Sequence, residues 1–378
     1  MRPKIIDRRQ ADDFSGAAEV AGAGFRYGFR AAVQLAARPA VSCELAIRDT
    51  DSRSRPLSEA VGLAQAVLDQ GDCVFKKIDS VLRGHVLAEI QPFLQTSRYS
   101  RALVVPFNPD LGRTIENGIY QINGRPISGT LFRDDPEYPA LTSDVLAMLG
   151  EGRRAARVCR LSDALPDTGI VVGEGATVED LRAWAGRVDR RTLPVGGAPF
   201  FAAWLESRGR VARARCCAEA GAKALVVSGT ASPVVDWRRV RPDRACVLPM
   251  PDVLFESGSG ESLMKWADDV ARSLQGGTGV VVASIGGRHL LDRSQSGRLV
   301  RHLAELASIV LARSSVDELW LEGSATASAV IRGMRWVSLT VVGELAPGVV
   351  QLQPIAGGPL IIVKPGSYPL PEGTHGVS

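Results

Sequence analysis

Two lysines, an aspartate, a serine and an arginine crowd into nine residues, Lys76-Lys77-Ile78-Asp79-Ser80-Val81-Leu82-Arg83-Gly84. Cations beside the free amides of a helix N-terminus suit an anionic ligand, either a carboxylate or a phosphate. Three other polar stretches repeat the theme. Ala11-Asp12-Asp13-Phe14-Ser15-Gly16-Ala17 pairs two carboxylates with a hydroxyl and a glycine. A carboxylate so placed can take the proton of an alcohol as a phosphoryl group arrives. Asp12 and Asp13 are both candidates for that base, and Asp13 also stands where a helix cap is expected. Asp49-Thr50-Asp51-Ser52-Arg53 offers Arg53 as a fork for a ligand carboxylate, or else an Asx-type turn that binds nothing. Asn108-Pro109-Asp110-Leu111-Gly112-Arg113-Thr114 offers Arg113 in the same role. Each stretch alone reads equally well as a solvated loop. Their repetition favours a small, hydrophilic, anionic ligand.

The elements that must position these loops are short apolar strands alternating with helix-period stretches. Cys73-Val74-Phe75 precedes the lysine-rich turn, and Val86, Leu87, Ile90, Phe93 and Leu94 follow it at helical spacing. Further strands are expected at Cys43–Ile47, Leu103–Val105, Gly169–Val172, Leu225–Val227, Val280–Ala283 and Leu319–Leu321. Such alternation predicts an α/β fold with mainly parallel sheets, in which ligands bind beyond the carboxyl ends of the strands. Asn123-Gly124 between Ile119–Ile122 and Arg125–Ile127 predicts an antiparallel hairpin. The Arg/Ala-rich segment Trp204–Ala222 has a helical pattern, and a new strand opens at Ala224. A chain of 378 residues exceeds one ordinary core, so two α/β domains are expected, 1–222 and 223–378. The second half brings its own helices, at Glu261–Leu274, Gly297–Ala312 and Ala327–Gly333.

Glycine-rich turns follow strands in that second half, at Val227-Ser228-Gly229-Thr230-Ala231-Ser232-Pro233 and Glu322-Gly323-Ser324-Ala325-Thr326-Ala327-Ser328. Small residues let backbone amides approach phosphate oxygens, although close helix–strand packing explains such glycines as readily. The absence of GxxxxGK[ST], and of GxGxxG after a strand, argues against a P-loop and a dinucleotide fold. With 45% hydrophobic and 23% charged residues the chain has a globular composition. A net charge of +4 without a clustered basic face argues against nucleic acid. No apolar run spans a bilayer and the N-terminus has no signal core, so a cytoplasmic location with no membrane partner is expected. Six cysteines without CxxC or zinc spacing predict reduced thiols and no metal centre.

In order along the chain, ADDFSGA (11–17), DTDSR (49–53), KKIDSVLRG (76–84), NPDLGRT (108–114), NGRPIS (123–128), RDDPEYP (133–139), TSD (142–144), VVSGTASP (226–233) and GELAPGV (343–349) resemble the blocks of the four-carbon acid sugar kinase family. The resemblance implies a two-domain α/β protein that transfers the γ-phosphate of ATP to the terminal hydroxyl of threonate, erythronate or a 3-oxo-tetronate. It places the sugar acid in the N-terminal domain and ATP, with Mg²⁺, in the C-terminal one. It implies Asp12 or Asp13 as base, and Arg53, Lys76, Asp79, Ser80, Arg83, Gly84 and Arg113 as the substrate side. The ATP loops carry over onto Gly229, Thr230, Ser232, Gly323, Ser324, Ala325, Thr326 and Gly366. A homodimer is allowed by this reading without being dictated by it. Three departures matter. Arg8-Arg9-Gln10 stands where the family has an apolar first strand, which is therefore expected to be short or displaced. Ala325 replaces an acidic residue of one nucleotide loop. The terminal loop reads Lys364-Pro365-Gly366-Ser367-Tyr368-Pro369, with Tyr368 a candidate for stacking. These changes leave a second expectation open, a degenerate member that binds a sugar acid without transferring phosphate.

Overall fold

Short runs rich in β-branched residues, buried on both faces, form the strands, as parallel sheets require. The computed structural model describes residues 7–35, 43–69, 73–96, 98–150, 153–219, 221–230, 245–256, 258–276, 279–286 and 293–371. The chain divides into unit 1 (Met1–Ala31 and Ser42–Ala214) and unit 2 (Ala32–Val41 and Arg215–Ser378). The division thus falls at 214/215, with a short N-terminal segment lent to unit 2.

The first elements are β1 (Asp7–Ala11), α1 (Phe14–Arg26), β2 (Ala31–Gln34), β3 (Leu45–Asp49), α2 (Leu57–Leu68), β4 (Cys73–Lys77), α3 (Val86–Leu94) and β5 (Arg101–Val105). An antiparallel excursion follows, β6 (Arg113–Glu116), β7 (Ile119–Ile122) and β8 (Arg125–Pro126), then α4 (Val145–Met148). The rest of unit 1 is β9 (Ala156–Cys159), β10 (Gly169–Gly173), α5 (Val178–Gly186), β11 (Thr192–Gly196) and α6 (Ala198–Ser207). Its main sheet runs β3-β1-β4-β11-β5-β10-β9, with every described pairing parallel. The Asn123-Gly124 hairpin is present, with both residues at positive φ as a type I′ turn demands. Asn117-Gly118 makes a second such turn between β6 and β7, which the sequence reading passed over.

Unit 2 continues with β12 (Ala224–Ser228), β13 (Ala245–Pro249), α7 (Asp252–Glu256), α8 (Gly260–Gln275), β14 (Val280–Ser284) and α9 (Arg293–Arg313). It ends with β15 (Glu318–Glu322), α10 (Ser324–Gly333), β16 (Ser338–Ala346), β17 (Val349–Pro354) and β18 (Leu360–Lys364). The strands β13-β14-β12-β15-β18 are parallel, and β17, β16 and β2 extend them antiparallel. Val226, Val282, Trp320 and Ile362 form part of its core. No helix among the described residues is long and apolar enough to cross a membrane.

Two expectations are corrected. The first strand is neither short nor displaced; its polar residues lie inside it, Arg9 and Gln10 both fully buried. Arg9 is accommodated because its guanidinium lies over Phe201 and Trp204 of α6, at 5.2 and 4.9 Å from the ring centroids. The helix expected over Trp204–Ala222 ends at Ser207. Gly209 turns left-handed at φ +77°, and the exposed arginines beyond it have no apolar face to bury.

Phe75 of β4 ties this region together, with ring centroids 4.9 Å from Phe201, 6.2 Å from Phe200 and 6.3 Å from Trp204. Phe75→Ala should therefore cost about 3–5 kcal/mol of stability. Urea denaturation of both proteins checks this, and a loss below 1 kcal/mol, on the order of a surface change, would show that the cluster does not hold β4 to α6.

Candidate functional site

Parallel strands leave the sheet by the same edge, so the loops after β1, β3, β4 and β5 emerge together. Their backbones are stitched first. Thr50 donates its amide and hydroxyl to the Ala11 carbonyl, and the Ser52 and Arg53 amides donate to the Asp12 carbonyl. The β4 turn is sharp, with Leu82 at φ +64° and Gly84 at φ +90°. The φ of Gly84 favours glycine, and a Cβ there would also crowd the Arg53 side chain at 3.2 Å.

Arg53 is the hub. Its Nε donates to Asp12 Oδ2 at 2.8 Å, and its Nη2 lies 2.9 Å from Asp13 Oδ1 and 3.6 Å from Asp79 Oδ1. Asp13 is also the N-cap of α1, accepting from the Gly16 amide at 2.9 Å. Both Asp13 functions are structural. Asp12 differs, because its Oδ1 is buried and has no hydrogen-bond partner among the described residues. Burial works against its charge, but Arg53, Lys76 and Lys77 outweigh that and hold the carboxyl below the usual aspartate range.

Asp79 receives Arg83 in a two-pronged pair, Nε to Oδ2 and Nη2 to Oδ1, both 2.9 Å. Burial again opposes the charge, and Arg83 and Arg53 together pull Asp79 well below the ordinary value. The third Arg83 nitrogen, Nη1, donates to Asp135 at 2.9 Å. The expectation that Arg83 holds a ligand carboxylate thus meets a guanidinium whose edges are already on the protein's own carboxylates. Arg113 donates to the Ser80 hydroxyl and lies over the Phe132 ring. Tyr120 donates to the Ser80 carbonyl at 2.6 Å, and Tyr138 to the Arg53 carbonyl. Four side chains of the segment from Arg113 to Tyr138 therefore grip the loops of β3 and β4, a set that sequence reading reached only in Arg113. The RDDPEYP block (133–139), which holds Asp135 and Tyr138, was the available signal.

Lys76, expected on the substrate side, is taken up by a carboxylate of the protein itself. It is fully buried, its Nζ 2.8 Å from Glu89 of α3, whose other oxygen accepts from Ser52 at 2.9 Å. Strand alternation explains this, since Lys76 and Lys77 face opposite sides of β4. Lys77 donates to the Ile78 carbonyl at 3.0 Å, and its Nζ lies 3.8 Å from Glu19.

In unit 2, β12, β15 and β18 are adjacent and parallel, and each ends in a glycine loop. Gly323, at φ +99°, is the N-cap of α10, so no side chain caps that helix. A Cβ on Gly229 would collide with Thr326 Oγ1, one on Gly366 would lie 3.1 Å from Thr230 Oγ1, and one on Gly323 3.9 Å from the Thr230 amide. Gly229, Thr230, Gly323, Thr326 and Gly366 are thus brought together, with Ser324 and exposed Ala325 opening α10. Ser232 lies outside the described residues. Tyr368 is buried against Gly348 rather than offering a face for stacking. Among the described residues no group of three or more metal-ligating side chains occurs.

The sequence model of the sugar-binding N-terminal domain family matches residues 9–204. A D-threonate kinase of Bordetella bronchiseptica is 23% identical over 95% of this chain and 93% of its own. A D-threonate kinase of Cupriavidus necator is 28% identical over 90% of this chain and 88% of its own. A crystal structure of a Haemophilus influenzae protein of family DUF1537 matches 97% of each chain with a TM-score of 0.67 at 17% identity, a likeness of fold.

Removing Lys76 strands a buried carboxylate. Lys76→Met should cost about 3–5 kcal/mol, and adding Glu89→Leu should recover most of it. Thermal and urea melts decide between this and a solvent-facing lysine, which would show no loss and no rescue.

Proposed function

This chain belongs to the sugar-binding N-terminal domain family, and we propose that it is an ATP-dependent kinase acting on the terminal hydroxyl of a four-carbon sugar acid. Threonate, erythronate and 3-oxo-tetronate are the substrates to consider, and the relatives named D-threonate kinase support the class. The observation that carries the chemistry is Asp12 Oδ1, buried and without a partner among the described residues. A buried acceptor left open calls for a donor, and a sugar hydroxyl is one. Arg53 keeps that carboxylate ionised, so Asp12 can accept the proton as the phosphoryl group arrives. Asp13 is the cap that starts α1.

The carboxylate of the sugar acid is assigned to the Ser80–Arg113 side, since Arg83 is committed to Asp79 and Asp135. Ser80 accepts from Arg113 and keeps its own proton for a further acceptor. The phosphates of ATP fit the loops at Gly229–Thr230, Gly323–Thr326 and Gly366, where small residues leave amides approachable and α10 presents its uncapped N-terminus. Mg²⁺ travels with the nucleotide and neutralises the charge that gathers on the transferred group. A reaction that draws on ATP is compatible with the cytoplasmic location expected from the sequence. One observation favours a second reading, a member that binds a sugar acid without transferring phosphate: Pro365 removes an amide from the third loop, and Ala325 brings no acidic group to the second.

ADP release with Mg²⁺, ATP and a panel of tetronates tests the proposal, alongside calorimetric titration of each ligand. Asp12→Asn should lower kcat by about 10²- to 10⁴-fold with sugar-acid affinity little changed, whereas Asp13→Asn keeps a good cap and most of the activity. Equal, modest losses in the two variants would remove Asp12 as base. Sugar-acid binding with no ATP affinity would establish the second reading. Arg113→Met should weaken sugar-acid binding by about 1.5–3 kcal/mol; unchanged affinity would move the carboxylate away from Ser80.

A further inference from the structure

The last residues of four adjacent parallel strands in unit 2 are polar, and all are buried: Ser284, Ser228, Glu322 and Lys364. They pair laterally in register, Ser284 with Ser228, Ser228 with Glu322, and Glu322 with Lys364. Laterally paired residues share a face of the sheet, and three of these side chains join. Ser228 Oγ donates to Glu322 Oε2 at 2.6 Å, and Lys364 Nζ donates to Glu322 Oε1 at 2.8 Å and to the Pro365 carbonyl at 3.3 Å. The next residue after Ser228 and after Glu322 is a glycine of the loops described above, and Gly366 follows Lys364 by two. The backbone ladder runs one step further, Gly229 amide to Glu322 carbonyl at 3.1 Å and Gly323 amide to Lys364 carbonyl at 3.0 Å.

A buried ion pair of this kind contributes little net stability, because desolvating both charges offsets their attraction, and well-packed apolar residues often do as well. What it does supply is direction. Two hydrogen bonds from opposite sides fix the Glu322 carboxylate, and through it the spacing of three strand ends. We propose that Glu322, with Ser228 and Lys364, is a positioning residue for the nucleotide: the row sets where the amides at Gly229, Gly323 and Gly366 stand relative to one another. Most of the phosphate cradle is backbone amide, and the row beneath it fixes how those amides stand. This rests on unit 2 being the ATP-binding half.

The test uses the full chain carrying Glu322→Leu with Lys364→Met, a pair that removes both charges together, and separately Ser228→Ala, which removes one hydrogen bond. The double variant should melt at or above the wild-type temperature, yet show KM for ATP raised at least tenfold, with kcat at saturating ATP and sugar-acid affinity changed less than threefold. Ser228→Ala should raise KM for ATP about three- to tenfold, with a melting temperature lowered modestly because the buried Glu322 Oε2 loses its donor. Wild-type KM for ATP in a folded double variant and in Ser228→Ala would overturn the proposal and leave the row a purely structural feature. If the double variant does not fold, the Ser228→Ala result alone decides. A wild-type protein with no ATP affinity by calorimetry would instead overturn the assignment of unit 2 on which the proposal stands.

Discussion

Everything in the N-terminal site depends on one guanidinium. Three aspartates from two different loops approach Arg53 within 3.6 Å or less, all of them nearly excluded from water. Without a central cation such a cluster could not stay ionised, because like charges at that spacing force protons onto each other. With it, the β1 loop is fixed by Asp12 and Asp13, the β3 loop by Arg53 itself, and the β4 turn by Asp79, which in turn fixes Arg83 and Asp135. The same bracket leaves Asp12 Oδ1 buried and without a hydrogen-bond partner among the described residues. A site that spends nearly all its charges on one another, and keeps one acceptor open, is suited to receiving a hydroxyl group.

In the proposed reaction the two halves would recognise their ligands by different means. Unit 1 relies on side chains whose charge and length are specific, and its sequence blocks are correspondingly close to the family pattern. Unit 2 would rely on amides that glycine leaves uncovered. A backbone cradle tolerates changes that would ruin a side-chain site, which accounts for loops at Gly323 and Gly366 that still converge with Thr230 although Ala325 and Pro365 depart from pattern. Their arrangement depends instead on what lies beneath, the Ser228–Glu322–Lys364 row.

Much of this was legible in the chain. The strand–turn–helix alternation, the parallel sheets, the Asn123-Gly124 hairpin and the loops that share a sheet edge all follow from local pattern, because each is fixed by residues close in sequence. What escaped depends on partners far away. Arg9 reads as a strand breaker until Phe201 and Trp204, almost two hundred positions later, cover it. Lys76 reads as a ligand-binding cation until Glu89 and strand alternation turn it inward. Arg83 reads as a carboxylate fork, and so it is, but for Asp79 and Asp135. Asp13 was readable as a cap from position alone, whereas the buried, unpaired Oδ1 of Asp12 shows only once the Arg53 contacts are in view.

The central claim is that Asp12 is held as an anion, ready to accept a proton. Carbon-13 NMR of protein labelled at the aspartate carboxyl, with the Asp12 signal identified by its loss in Asp12→Asn, measures this directly. The Asp12 resonance should remain at its ionised position as the pH falls from 7 to about 4, through the range where an ordinary aspartate of pKa about 3.9 has begun to titrate. A midpoint at or above that ordinary value would contradict the account, since Arg53 would then not be holding the charge on which the proposed chemistry depends.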